Sequence, residues 1–128
     1  MPTSPNIMGL HFHYRLWIAE MNSHINILRI FEDYVDEIRS KKNEPAVKSG
    51  IESFQQHFAS LRKQIDELRH EMHLAKMNLA AYAKQKLPDK KSFSSGSHKE
   101  LKKLYSGYKK TFEKIKKEFA QFESTMLK

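Results

Sequence analysis

VKSGIESFQQHFASLRKQIDELRHEMHLAKMNLAAY, residues 47–82, places Val47, Ile51, Phe54, Phe58, Leu61, Ile65, Leu68, Met72, Ala75, Leu79 and Tyr82 at steps of four and three in unbroken alternation. That spacing is the a/d seam of a helix packed at coiled-coil angles against a neighbour. Working outward, the same rule holds on both sides. Leu10, Tyr14, Trp17, Met21, His24, Leu28, Phe31, Val35 and Ile38 precede it, and Leu101, Tyr105, Tyr108, Phe112, Ile115, Phe119, Phe122 and Met126 follow. Chance rarely sustains a 3.5-residue repeat through four heptads, so three such seams read as three long helices.

The breaks between the seams agree. KKNEP, residues 41–45, puts Glu44 ahead of Pro45, and proline suits the first helical position because its missing N–H had no partner there. KLPDKKSFSSGS, residues 86–97, gathers proline, glycine and serine, and Ser97 with Glu100 has the spacing of a capping box. The expected helices are 8–39, 45–85 and 98–127 with a linker at 86–97, in one domain spanning 1–128. At 1.5 Å per residue the middle helix is about 60 Å long. The short first loop forces an antiparallel hairpin and the longer connection returns the third helix along it. The fold class is therefore all-α, an elongated antiparallel three-helix bundle with heptad packing.

Composition bounds the function. Four glycines, four prolines and 30% charged residues suit long helices. Without cysteine there is no disulfide framework, no thiolate nucleophile and no Cys-ligated zinc. No run approaches about 18 apolar residues, so a membrane-spanning helix is not expected. MPTSPNIMGLHFHYRLW, residues 1–17, lacks a basic leader, which leads us to expect a cytoplasmic protein.

The first helix carries more apolar surface than a seam requires. Leu16, Ile18, Ile25, Ile27, Ile30 and Tyr34 lie beyond its a/d positions and demand more than one neighbour. The third helix is one; a second copy is another. Phe12 with Leu74 and Met77 reads as a further apolar cluster, because a hairpin brings the start of one helix beside the end of the next. The plainer reading is that the third helix or the N-terminal tail covers it. The candidate self-association surface, for a homodimer or a protein partner, is Phe12, Leu16, Ile27, Ile30, Tyr34, Leu74 and Met77.

The net charge of +8 is uneven: five basic against six acidic residues in 1–45, six against four in 46–84, and twelve against five in 85–128. In the last third the doublets Lys102–Lys103, Lys109–Lys110 and Lys116–Lys117 repeat every seven residues, at e and f positions if Leu101 is d. The bundle explains the spacing. Glutamate has similar helix propensity, so lysine at both positions each time needs another reason. One reading is a solvated face whose lysines pair with Glu32, Asp33, Asp36 and Glu37 of the first helix. The other is a non-specific polyanion footprint, for nucleic acid or an anionic surface. Sequence-specific readout is excluded by the lack of arginine in the stripe and by aromatics committed to the seam.

Seven histidines raise the question of metal. In RHEMH, residues 69–73, the histidines are three apart where HExxH needs four. Glu67 and His70 have the Glu-x-x-His spacing of di-iron bundles, but those need the motif twice with two further inward glutamates. We therefore expect neither metal nor cofactor, and keep a metal-binding bundle as a distant alternative. His13 and Glu71, both at g, are expected to face each other if the hairpin centres near residue 42. His24 stands on the seam itself, where a polar residue fixes register or partner, or makes association pH-dependent. No catalytic constellation emerges. The serines Ser92, Ser94, Ser95 and Ser97 sit in the linker with no base fixed beside them, so a non-enzyme is expected.

LHFHYRLWIAEMNSHINILRIFEDYVDEI and VKSGIESFQQHFASLRKQIDELRHEMH, within residues 10–85, resemble a family of small bacterial helical-hairpin proteins with a Trp-containing start to the first long helix. The resemblance implies a hairpin and no activity. Sequence alone thus points to a protein-interaction or scaffolding module that self-associates through its first helix, with polyanion binding as the alternative.

Overall fold

A computed structural model describes residues 7–85 and 95–126, with the side chains of 82–85, 95–97 and 126 left aside. Three helices, α1 (Ile7–Lys41), α2 (Pro45–Gln85) and α3 (Ser95–Met126), form an all-α three-helix bundle. α1 closes with the Lys42 amide donating to the Ile38 carbonyl at 2.8 Å, and α2 opens with the Lys48 amide donating to the Glu44 carbonyl at 3.0 Å. Glu44 is thus the cap ahead of Pro45, as its place before a proline predicts.

α3 starts earlier than the sequence indicates. Its helical backbone is already running at Ser95, so Ser97 is inside the helix and not the cap. His98, in its first turn, stacks on Trp17 and lies 3.1 Å from the Tyr14 hydroxyl, which anchors this end of α3 to α1. The rest of the expected linker, and the side chains of Tyr82 and Met126, lie outside the described residues.

Buried side chains follow the seams. Met21, Leu28 and Val35 of α1, Ile51, Phe58, Leu61, Ile65 and Met72 of α2, and Phe112 of α3 are sealed from solvent, and no described polar side chain is buried with them. Ile18 joins the core from beyond the expected row, and Ile25 packs against it, because α1 meets α2 with its e as well as its a positions.

Direction and register follow from cross-helix pairs. Arg39 donates to Gln55, Arg62 to Glu32 and Arg69 to Asn22, which makes α1 and α2 antiparallel with a midpoint at about residue 46. This corrects the midpoint of 42. Side chains lean toward the N-terminus of their own helix, away from the turn on α1 and toward it on α2, so an α1 residue meets an α2 partner whose Cα lies farther from the turn than its own. His13 accordingly stacks on Trp17 and is not paired with Glu71. α1 and α3 run parallel, joined from Tyr14–His98 to Tyr34–Glu123.

Candidate interaction surface

The contacts divide α1 lengthwise. Tyr14, Met21, Leu28 and Val35, at a positions, are buried. Trp17, His24 and Phe31, the d positions turned to α3, are only half-buried. The cause is the spacing of the helices: α2 approaches both neighbours closely along their backbones, whereas α1 and α3 scarcely approach each other. Long side chains bridge that gap.

The bridge is aromatic and polar. Tyr14 and the His98 Nδ1 are 3.1 Å apart, His24 Nδ1 and the Tyr108 hydroxyl 2.7 Å, and the Tyr105 hydroxyl donates to the Glu20 carboxylate. Trp17 stacks on His98 at 5.7 Å between centroids and His24 on Phe112 at 3.9 Å. Burial raises the pKa of Tyr14, Tyr105 and Tyr108, and the carboxylate of Glu20 pushes the last two up further. Each hydroxyl stays protonated, and that of Tyr105 donates to Glu20. Burial likewise lowers the pKa of His24, with Glu20 and Glu113 opposing and Lys109 and Lys116 assisting. His98 is lowered by burial, then by His13 and Lys102. The bridge is thus built of poorly acidic phenols and half-buried imidazoles that burial holds toward their neutral form.

The outer edges of this α1–α3 seam carry most of the residues singled out in the sequence. Leu16 and Ile30 are exposed on the α1 edge, Ile30 by 64%, while Ile27 and Tyr34 are half-buried against the core. Lys102 and Lys116 are exposed on the α3 edge, and Lys109 lies 3.6 Å from Glu20 and 5.3 Å from the Tyr105 ring centroid. Lys103, Lys110 and Lys117 face solvent behind them.

Two expectations change here. The anticipated pairing of α3 lysines with Glu32 and Asp36 does not form, because Arg62 holds Glu32 through two bonds at 2.6 and 2.9 Å and Arg39 lies 3.7 Å from Asp36. Glu20 is the partner instead. Phe12, Leu74 and Met77 are all exposed, Phe12 by 53% and Met77 by 66%. Phe12 occupies an f position opposite the seam, while Leu74, at c, lies on the flank of α2 turned away from α1, so they are not gathered between the two helices.

Sequence reasoning missed Glu20 and His98. Their signal was available in Tyr14, Tyr105 and Tyr108, seam tyrosines whose hydroxyls require partners once the rings are buried. Among the described residues no group of three or more histidines and carboxylates is close enough to hold a metal ion, and no helix is long and apolar enough to cross a membrane. Compared with models of known families, with curated proteins and with solved structures, the chain matches none of them.

Proposed function

We propose that this chain is a non-enzymatic protein-interaction or scaffolding module of the cytoplasm, working through the uncovered flank of α1 and associating there with a second copy or with another protein. One observation carries the reading: a heptad row that ought to be core, Trp17, His24 and Phe31, is half-exposed and continues outward into exposed Leu16 and Ile30. Exposed apolar surface contiguous with a core row marks contact sites more often than isolated surface leucines do.

The test is site-specific photo-crosslinking in cells from position 30, compared with position 63 on the polar face of α2. Adducts from 30 that are absent from 63 are expected. Equal or no adducts overturn the reading. Light scattering at low and high salt then separates the occupants: a salt-insensitive mass above 15.1 kDa means self-association, and a monomer at every concentration removes it.

A second reading has its own observation. Lys102, Lys103, Lys110, Lys116 and Lys117 are exposed, and Lys109, Lys110, Glu113, Lys114 and Lys117 line a shallow depression of about 450 Å³. This favours a polyanion held by phosphate or sulfate charge. Binding of heparin or single-stranded DNA falls steeply with salt and is lost when the three doublets become glutamine; binding indifferent to that substitution overturns it.

A further inference from the structure

The three helices occupy three corners of a larger figure. In an up-down-up-down bundle consecutive helices are neighbours and the first and third lie across a diagonal, with the fourth between them. α1, α2 and α3 are arranged compatibly with that relation: α2 is close to both along its length, whereas α1 and α3 run parallel, approach little along their backbones and are bridged by long side chains. The fourth corner is the open side of the α1–α3 seam, where Trp17, His24 and Phe31 are half-buried, and we treat it as a groove with these residues in its floor. Leu16, Ile27 and Ile30 form one wall and Lys102, Lys109 and Lys116 the other. His24 of α1 contacts the Tyr108 hydroxyl at 2.7 Å and stacks on Phe112 of α3, so this floor residue lies between the two helices that carry the walls.

We propose that this groove receives an acidic amphipathic helix from another protein, antiparallel to α1 and α3, to complete a four-helix bundle. The inference rests on the interaction reading above and names its surface and partner chemistry. A helix in this groove lays one apolar edge on Leu16, Ile27 and Ile30 and one flank along α3. Residues 95–126 carry eight lysines and four glutamates, and Glu20 is already engaged by Tyr105 and Lys109, so the flank along α3 must be acidic. The apolar wall separates this ligand from a bare polyanion, which has nothing to place against isoleucine. A second copy brings the same charge of +8, and its own acids Glu32 and Asp36 already lie beside Arg62 and Arg39. Residues 1–6 and 86–94 contain a single acid, Asp89, and do not meet the requirement.

The experiment uses the full chain and a synthetic four-heptad peptide with leucine at a and d and glutamate on both flanks. A lysine-flanked copy of it and poly-glutamate serve as controls. Binding is followed by calorimetry and by fluorescence of Trp17, the only tryptophan, which lies in the groove floor. The glutamate-flanked peptide is expected to bind and to shift Trp17 emission. Lys102→Glu with Lys116→Glu should weaken it about tenfold and favour the lysine-flanked peptide. Ile27→Ser with Ile30→Ser should weaken it by about tenfold or more, with helicity unchanged. No binding by the folded chain, equal binding of both peptides, or equal binding of poly-glutamate overturns the proposal. So does a dimer of the wild-type chain that these same substitutions dissolve, which assigns the groove to a second copy. Crosslinks from position 30 that persist while the peptide fails leave the interaction reading standing and remove this one alone.

Discussion

The ring of Phe122 on α3 lies against the backbone of α2 at Gly50, so close that a Cβ added to Gly50 would overlap it. Gly50 stands within the first two turns of α2, where glycine costs roughly 1 kcal/mol relative to alanine. The bundle accepts that cost because Phe122 packs with Phe54 and Phe119, at 5.3 and 6.3 Å between ring centroids. Gly50→Ala should therefore destabilise by about 1 kcal/mol net, overpacking of about 1–3 kcal/mol outweighing the gain in propensity. Urea unfolding measures it. A Gly50→Ala variant more stable than wild type would mean that Phe122 swings aside without loss.

Gly107 is the control. Nothing lies within 4 Å of a Cβ built there, and the residue is exposed in the middle of α3. Gly107→Ala should stabilise the bundle by about 0.5–1 kcal/mol through helix propensity and a less flexible unfolded chain. Loss of stability on the same urea axis would point to a contact on that face.

The two seam histidines make stability depend on pH. His24 and His98 both have pKa values lowered by burial in the folded chain, while in the unfolded chain each returns to about 6.5. Below that value the unfolded state binds more protons, so folding becomes less favourable as pH falls. Their contribution is complete above about pH 6.5 and is lost progressively on acidification toward the folded values. The geometry agrees with this direction: the His24 ring is half-buried, with its Nδ1 2.7 Å from the Tyr108 hydroxyl and its face stacked on Phe112, a setting in which charging the ring is costly. Melting temperature should fall between pH 7 and pH 5, and His24→Gln with His98→Gln should flatten the fall. An unchanged slope in the double variant would place the acid sensitivity elsewhere. Any association of the chain that varies between pH 5 and 8 should likewise lose that dependence in His24→Leu.

The division between what sequence discloses and what it conceals runs through α1. Its a and d rows were legible because a 3.5-residue repeat constrains every turn, and Met21, Leu28 and Val35 are sealed as that repeat requires. The same repeat is silent about which side of the seam stays open, since that depends on how closely α1 and α3 approach, and Trp17 and Phe31 look like core in the sequence. The α1–α2 register was misjudged because the lean of side chains toward helix N-termini shifts every cross-helix pair, as Arg62 with Glu32 shows. The lysine doublets were legible as a stripe, but Glu20 as the partner of Lys109 required the parallel offset of α1 and α3, which only the tyrosine bridges reveal.

Arg62 and Glu32 tie α1 to α2 through two parallel bonds, with both side chains about one-third exposed. Bidentate geometry puts this pair at the upper end of the surface range, and solvent screening keeps it modest. Glu32→Gln should cost about 0.5–1 kcal/mol at low salt, and less at high salt. Thermal unfolding at two ionic strengths reads both effects, and a loss independent of salt would show that packing of the Arg62 stem, not its charge, is what the pair supplies.

Tyr105 and Glu20 offer the sharpest test of the α1–α3 bridge. The Tyr105 ring is buried while Glu20 is exposed, so Tyr105→Phe removes the bond without stranding a buried charge: Glu20 keeps water and Lys109. A hydrogen bond to a carboxylate is worth about 1.5–3 kcal/mol, and the solvated acceptor brings the expected loss to about 1 kcal/mol. Glu20→Gln retains an acceptor but removes the charge, so it should cost less than Tyr105→Phe and should weaken the hold on Lys109. A double-mutant cycle on the two positions isolates the pair, with a coupling of about 0.5–1 kcal/mol expected. Coupling indistinguishable from zero would mean that the rings alone hold α3 to α1. In that case the stacking of Trp17 on His98 and of His24 on Phe112 sets the width of the groove, and His98→Ala should then disturb it more than any change at Glu20.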